Sequence, residues 1–99
     1  MGYTIEFAES VREQLRTLTA HQRTTVLESI EKQLRHQPLV ETKHRKPLRP
    51  NPIAPWELRV GDLRAFYDVA ADQPDTVRIL AVGRKKGGKL YIGDQEVEV

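Results

Sequence analysis

The residues of this chain with most chemical potential fall in two segments, Trp56 to Val69 and Val77 to Tyr91. The first reads W-E-L-R-V-G-D-L-R-A-F-Y-D-V and the second ends L-A-V-G-R-K-K-G-G-K-L-Y. Gly61-Asp62 is a Gly-X dipeptide between alternating apolar residues, the signature of a two-residue type II′ hairpin turn. That turn pairs Val60 with Leu63, Arg59 with Arg64 and Glu57 with Phe66. Side chains alternate faces along a strand. Trp56, Leu58, Val60, Leu63, Ala65 and Tyr67 therefore share an apolar face, and Glu57, Arg59, Arg64 and Phe66 share the other. Arg59 opposite Arg64 is a repulsive pair. A bound anion, diagonal neutralisation by Glu57, or splaying into solvent would each relieve it.

A second hairpin turn at Gly87-Gly88 pairs Lys85 with Leu90 and Arg84 with Tyr91. An arginine beside a tyrosine can bind a phosphate and stack a base. The plainer alternative for Tyr91 is an amphipathic tyrosine on an edge strand. Phe66 is a candidate stacking platform, or else it packs beneath the preceding basic loop or the acidic tail. The two hairpins are expected to gather these groups near one surface. Such a set suits intramolecular RNA cleavage. There a base takes the 2′-hydroxyl proton, cations neutralise the charge developing on phosphorus, and an acid protonates the leaving oxygen. Arginine serves the middle role through its two parallel donors.

The charge distribution supports a phosphate-rich ligand. The net charge is only +2, but Lys43, His44, Arg45, Lys46 and Arg49 fall within one short run without an acid. Arg84, Lys85, Lys86 and Lys89 form a second run, while Asp94, Glu96 and Glu98 make the tail acidic. Clustered basic charge is an electrostatic footprint for nucleic acid; solvated surface loops are the bland reading. Lys43, His44, Arg45, Lys46, Arg59, Phe66, Lys86 and Lys89 are the candidate RNA contacts, with His44 also a possible proton donor. The absence of cysteine excludes a disulfide scaffold, a thiolate zinc site and a cysteine nucleophile. His21, His36 and His44 lack ligand spacing with nearby acids, so no metal or other cofactor is expected. No apolar signal core and no long apolar run appear, which points to a cytoplasmic protein without membrane association.

These groups need a scaffold, and 99 residues allow one domain. Tyr3, Ile5 and Phe7 alternate as a half-buried strand. Ser10 with Glu13 forms a capping-box pattern, followed by Val11, Leu15 and Leu18 at helical spacing. Thr19 with Gln22 offers a second box, and Val26, Leu27, Ile30 and Leu34 continue as a helical stripe that ends before Pro38. Five of the six prolines fall between Pro38 and Pro55, which reads as a long basic loop without periodicity. Val77 to Val82 is a nearly continuous apolar run, expected of a central strand covered on both faces. The order is β-α-α-β-β-β-β. It predicts an α+β domain spanning residues 1–99, with an N-terminal helical hairpin on one face of a mainly antiparallel sheet.

The element order, the L-R-V-G-D-L-R-A-F-Y-D-V hairpin and the L-A-V-G-R-K-K-…-L-Y strand resemble the RelE/ParE superfamily of bacterial toxins from type II toxin–antitoxin modules. The resemblance covers nearly the whole chain. RelE-type members cleave mRNA in the ribosomal A site without a metal, whereas ParE-type members poison DNA gyrase. The V-G-x-x-x-x-x-x-Y segment looks more RelE-like, which implies an endoribonuclease that inhibits translation. By that resemblance the strand arginine is Arg64, the terminal tyrosine is Tyr91, and the phosphate-binding arginine of the V-G segment is matched by Lys85, with Arg84 adjacent. Two lysines that precede the arginine in RelE, one implicated in proton removal, are matched here by Pro55 and Glu57. Glu57 is then the candidate base. The missing lysines leave two other readings open, a ParE-like gyrase inhibitor and a non-catalytic RNA- or ribosome-binding module. The resemblance also implies a cognate antitoxin that covers the basic surface, docking on the exposed apolar residues of the first helices or on an edge strand. Contact with operator DNA would come through that antitoxin.

Overall fold

In the computed structural model, which describes residues 2–98, the first strand waits for a partner far along the chain. β1 (Thr4–Phe7) lies parallel to the start of β5 (Thr76–Lys86), with Thr4 opposite Thr76 and Phe7 opposite Ile79. Between them come α1 (Ser10–Arg16), α2 (Ala20–Leu34), β2 (Arg45–Pro47), β3 (Trp56–Val60) and β4 (Leu63–Val69); β6 (Lys89–Ile92) and β7 (Gln95–Val97) follow. Among the described residues the sheet has seven strands, ordered β2-β3-β4-β5-β6-β7 and antiparallel except for β1. β5 carries β4 along one edge. Its other edge holds β1 beside Thr76–Ile79 and β6 beside Gly83–Lys86. The Gln14 side chain of α1 fills the gap, accepting the Val82 N–H at 2.9 Å. The protein is thus α+β, with two N-terminal helices packed on one face of a mostly antiparallel sheet.

Both hairpin registers are as the turn chemistry predicts. Val60 faces Leu63 and Arg59 faces Arg64. Gly61 alone of its turn has a positive φ, 59°, as a type II′ turn requires. Gly87 and Gly88 have φ of 61° and 79°, the type I′ pattern, and they place Arg84 opposite Tyr91. The Thr19–Gln22 capping box forms in both directions. The Ser10–Glu13 box does not: α1 begins one residue after Glu9, which makes no side-chain cap, and Glu13 bonds Arg16 instead.

Two strands depart from the expected pattern. Arg45–Pro47 pairs with β3 inside what reads as a structureless loop. It contributes backbone to the sheet edge and little apolar surface, so it leaves no alternation; lysine and proline on it also blunt the edge. Gln95–Val97 pairs with β6 through a turn at Gly93, φ 62°. Its cue was Gly93-Asp94, the same dipeptide as Gly61-Asp62.

The core has two compartments. On the helix side Val11, Val26, Ile30 and Leu34 meet Leu58, Ala65, Tyr67, Val77, Ile79 and Val82, all fully buried. On the opposite side Phe66 is fully buried with Ala54, Ala81 and Leu90, roofed by Leu48 and Ile53 of the proline-rich loop and by Val97 of β7. Burying a side chain of that size contributes about 2–3 kcal/mol. No helix is long and apolar enough to cross a membrane among the described residues.

Candidate nucleic-acid interface

The β3–β4 and β5–β6 hairpins end at the same end of the sheet, and one backbone hydrogen bond joins them. The Lys85 N–H donates to the Asp62 carbonyl at 2.7 Å. The turn at Gly61-Asp62 therefore lies against the cationic stretch Arg84–Lys86. Alternation then sorts the side chains. Lys46, Glu57, Arg59, Arg64 and Lys85 project from the face opposite the helices. Arg84 and Tyr91 project from the helix face, in register with Leu63. The candidate groups thus share one end of the sheet but not one surface, because Arg84 and Lys85 are neighbours on a strand.

Glu57 is the centre of the first group and is 4% exposed. Its Oε2 lies 2.7 Å from Arg59 Nε, and its Oε1 lies 3.8 Å from Arg64 Nε. Neutralisation by Glu57 is therefore what relieves the Arg59–Arg64 repulsion. Arg64 donates through Nη1 to the carbonyls of Gly61 (2.7 Å) and Leu63 (2.8 Å), while its Nε is buried and makes no hydrogen bond. Burial pushes the Arg64 guanidinium below its ordinary pKa, and the nearby Glu57 charge opposes that shift. Arg59 is half exposed. The His44 carbonyl accepts the Arg59 N–H at 2.8 Å, which extends the pairing of β2 with β3 by one residue. Lys46 stands opposite Glu57, but its Nζ is 3.4 Å from Glu41.

On the other face the Arg84 guanidinium carbon sits 5.7 Å from the Tyr91 ring centroid, within cation–π range. Lys86 and Lys89 face each other across the glycine turn and are exposed, with Lys89 3.7 Å from Glu96. Lys43 is exposed. Gly83, opposite Ile92, admits no side chain: a Cβ there would lie 2.3 Å from the Tyr91 backbone oxygen. The conspicuous glycine of the V-G-R segment thus lets β6 close on β5 and carries Tyr91 into place.

Two candidate RNA contacts are corrected. Arg45 points inward and is 8% exposed. Its Nε donates to the Val40 carbonyl (2.9 Å) and its Nη1 to the Gln33 carbonyl (2.8 Å), tying the end of α2 to the next loop. It pairs with Leu58, and that register forces it to the helix side. Phe66 has no exposed ring to offer a base; it is the floor of the second core, beneath the loop and β7.

A separate groove of about 700 Å³ lies between β1 and the helices, lined by Phe7, Val11, Leu15 and Leu27 together with Glu9, Glu13, Arg12 and Arg23. Phe7 is 44% exposed there.

Comparison with known proteins agrees with this architecture. The family of ParE toxins of the type II toxin–antitoxin system parDE matches residues 5–87. A chain of the RelBE2 toxin–antitoxin complex from Mycobacterium tuberculosis superposes with a TM-score of 0.71 at 28% identity, covering 86% of this chain and 100% of that one. A chain of the archaeal RelE–RelB complex from Pyrococcus horikoshii OT3 gives 0.65 at 22% identity, with 88% and 98% covered, and shows the shared fold. Among curated proteins no sequence matches. The chain belongs to the RelE/ParE toxin superfamily of type II toxin–antitoxin systems.

Proposed function

We propose that this toxin acts as a metal-independent endoribonuclease, cleaving mRNA on the ribosome with the cationic end of its sheet. The observation that carries this reading is the Lys85–Asp62 hydrogen bond, which merges the two hairpin ends into one basic rim. Around that rim Arg59, Arg64 and Lys85 line one face, while Arg84 and Tyr91 line the other. In this reading Arg64 and Lys85 bind the scissile phosphate and neutralise the charge that develops on it. Arg84 and Tyr91 hold the neighbouring nucleotide by charge and stacking. Exposed Lys43, Lys86 and Lys89 add sequence-independent attraction to the backbone. The test is primer extension on cellular mRNA after induced expression, with Arg64→Ala as control. Arginine-dependent cuts within translated codons are expected.

A second reading has one specific observation in its favour. The position matched to a family lysine is Glu57, whose carboxylate is buried and held by two arginines. A chain without a free base suits a ParE-like inhibitor of DNA gyrase. Growth arrest with DNA-damage signalling and intact mRNA would establish that reading. Intact mRNA without arrest would leave a non-catalytic RNA- or ribosome-binding module.

We also propose a cognate antitoxin as the physiological partner. The solved neighbours are toxin–antitoxin complexes. The groove with exposed Phe7 beside the first helices offers an apolar seat with charged groups of both signs, suited to an amphipathic segment.

A further inference from the structure

The face that carries Arg59 and Arg64 already contains an anion, and it is the protein's own. Arg59 Nε donates to Glu57 at 2.7 Å, and Arg64 Nε, which makes no hydrogen bond, lies 3.8 Å from the same carboxylate. The Nε edge of a guanidinium is one of the edges used to grip a carboxylate or phosphate through two donors. In Arg64 the remaining options are reduced further, because Nη1 is taken by the carbonyls of Gly61 and Leu63. Among the described residues Glu57 pairs with no other cation; Lys46, opposite it in register, is held by Glu41. Its side chain is 5% exposed, so an incoming phosphate reaches the Nε edges of both arginines only after the glutamate gives way.

We infer that Glu57 is an internal stand-in for a phosphate, occupying the place between Arg59 and Arg64 and setting how strongly this face holds RNA. The inference rests on the reading of the face as an RNA-binding one. It gives Glu57 a role different from a general base: it competes with the ligand instead of touching the reacting hydroxyl. Replacing it by glutamine keeps the shape and removes the competing charge, which returns the two guanidinium groups to the ligand.

The experiment follows arginine Nε–Hε signals in 15N-labelled full-length protein during titration with inorganic phosphate. In the wild type the Lys85 and Lys86 amides should move first, and the Arg59 and Arg64 Nε signals only at higher phosphate concentration. In Glu57→Gln both Nε signals should move at the lower concentration that shifts those amides. The variant should bind a short single-stranded RNA on the order of fivefold to tenfold more tightly, the effect of removing one nearby charge. Its log–log salt dependence should steepen by about 0.7 for each phosphate contact regained. A merely structural role would lower the melting temperature and leave that slope unchanged. Glu57→Met serves as a second variant should the first fold poorly. Two results would overturn the inference. One is an Arg64 Nε signal in the wild type that responds at the same phosphate concentration as in the variants. The other is a folded variant with unchanged RNA affinity and slope. The RNA reading fails separately: if the Nε signals behave as expected while mRNA in cells is uncut, Glu57 keeps its role and the substrate is another phosphate-bearing or anionic ligand.

Discussion

Three arginines on neighbouring strands have three different duties, and burial separates them. Arg45 is inside, holding carbonyls of α2 and the following loop. Arg64 is mostly covered and shares Glu57 with Arg59, which is half exposed. Arg45→Met should cost about 2–3 kcal/mol, because two carbonyls lose a charged donor. A urea melt checks this, and RNA affinity should be unchanged in the folded variant. Arg64→Ala should abolish arrest and mRNA cuts while costing about 1 kcal/mol of stability through its lost bonds to Gly61 and Leu63. Growth curves beside a thermal melt distinguish the two losses. The sequence contained the pairing of Arg59 with Arg64 and the diagonal role of Glu57, since a two-residue turn dictates both. It did not contain the inward turn of Arg45, because the strand that orients it consists of three residues without a hydrophobic pattern.

At the scale of elements, the local rules that worked were those with a backbone requirement. Gly61, Gly87 and Gly88 mark turns because only glycine takes their φ cheaply. Thr19 caps α2 with Gln22, so Thr19→Ala should cost about 1 kcal/mol. Ser10 and Glu13 have the same spacing and form no box, since the chain preceding α1 is already helical at Glu9. Gly83 makes a stronger demand. Gly83→Ala forces a Cβ against the Tyr91 carbonyl, so β6 should separate from β5. Hydrogen exchange should then accelerate at the amides of β6 and β7 while those of β3 and β4 remain protected. Phe66 illustrates what alternation cannot tell: it names the face of a side chain but not what covers that face. Here the proline-rich loop and β7 cover it, and neither has a periodic signal.

At the scale of the molecule, helices and loops pin the sheet through a few long-range polar contacts. The Tyr67 hydroxyl crosses the core to donate to the Pro38 carbonyl at 2.6 Å. Burial raises its pKa well above the ordinary tyrosine value, with the Arg45 charge opposing. The folded state thus keeps a proton that the unfolded chain loses near pH 10. Stability from this group is complete below about pH 10 and declines as pH rises beyond it. Denaturant midpoints measured from pH 8 to 11 should fall, and Tyr67→Phe should flatten the part due to this hydroxyl while lowering stability at pH 8 by about 1 kcal/mol. The α+β order and the helix-facing core were legible because apolar periodicity serves that one compartment. The second compartment and the division of the basic residues between two faces emerged only from three-dimensional register.

The parallel docking of β1 on β5 has a consequence for how the chain acquires its shape. Synthesis delivers β1 first, yet the strand that pairs with it begins at Thr76. Contacts so distant in sequence close late, since the loop entropy must be met before they are rewarded. A nascent chain halted before β5 would hold both helices and the β2–β3–β4 part of the sheet, with β1 unpaired. The strand that completes the scaffold also brings Lys85, so the assembly of the fold and the arrival of the basic rim are one event.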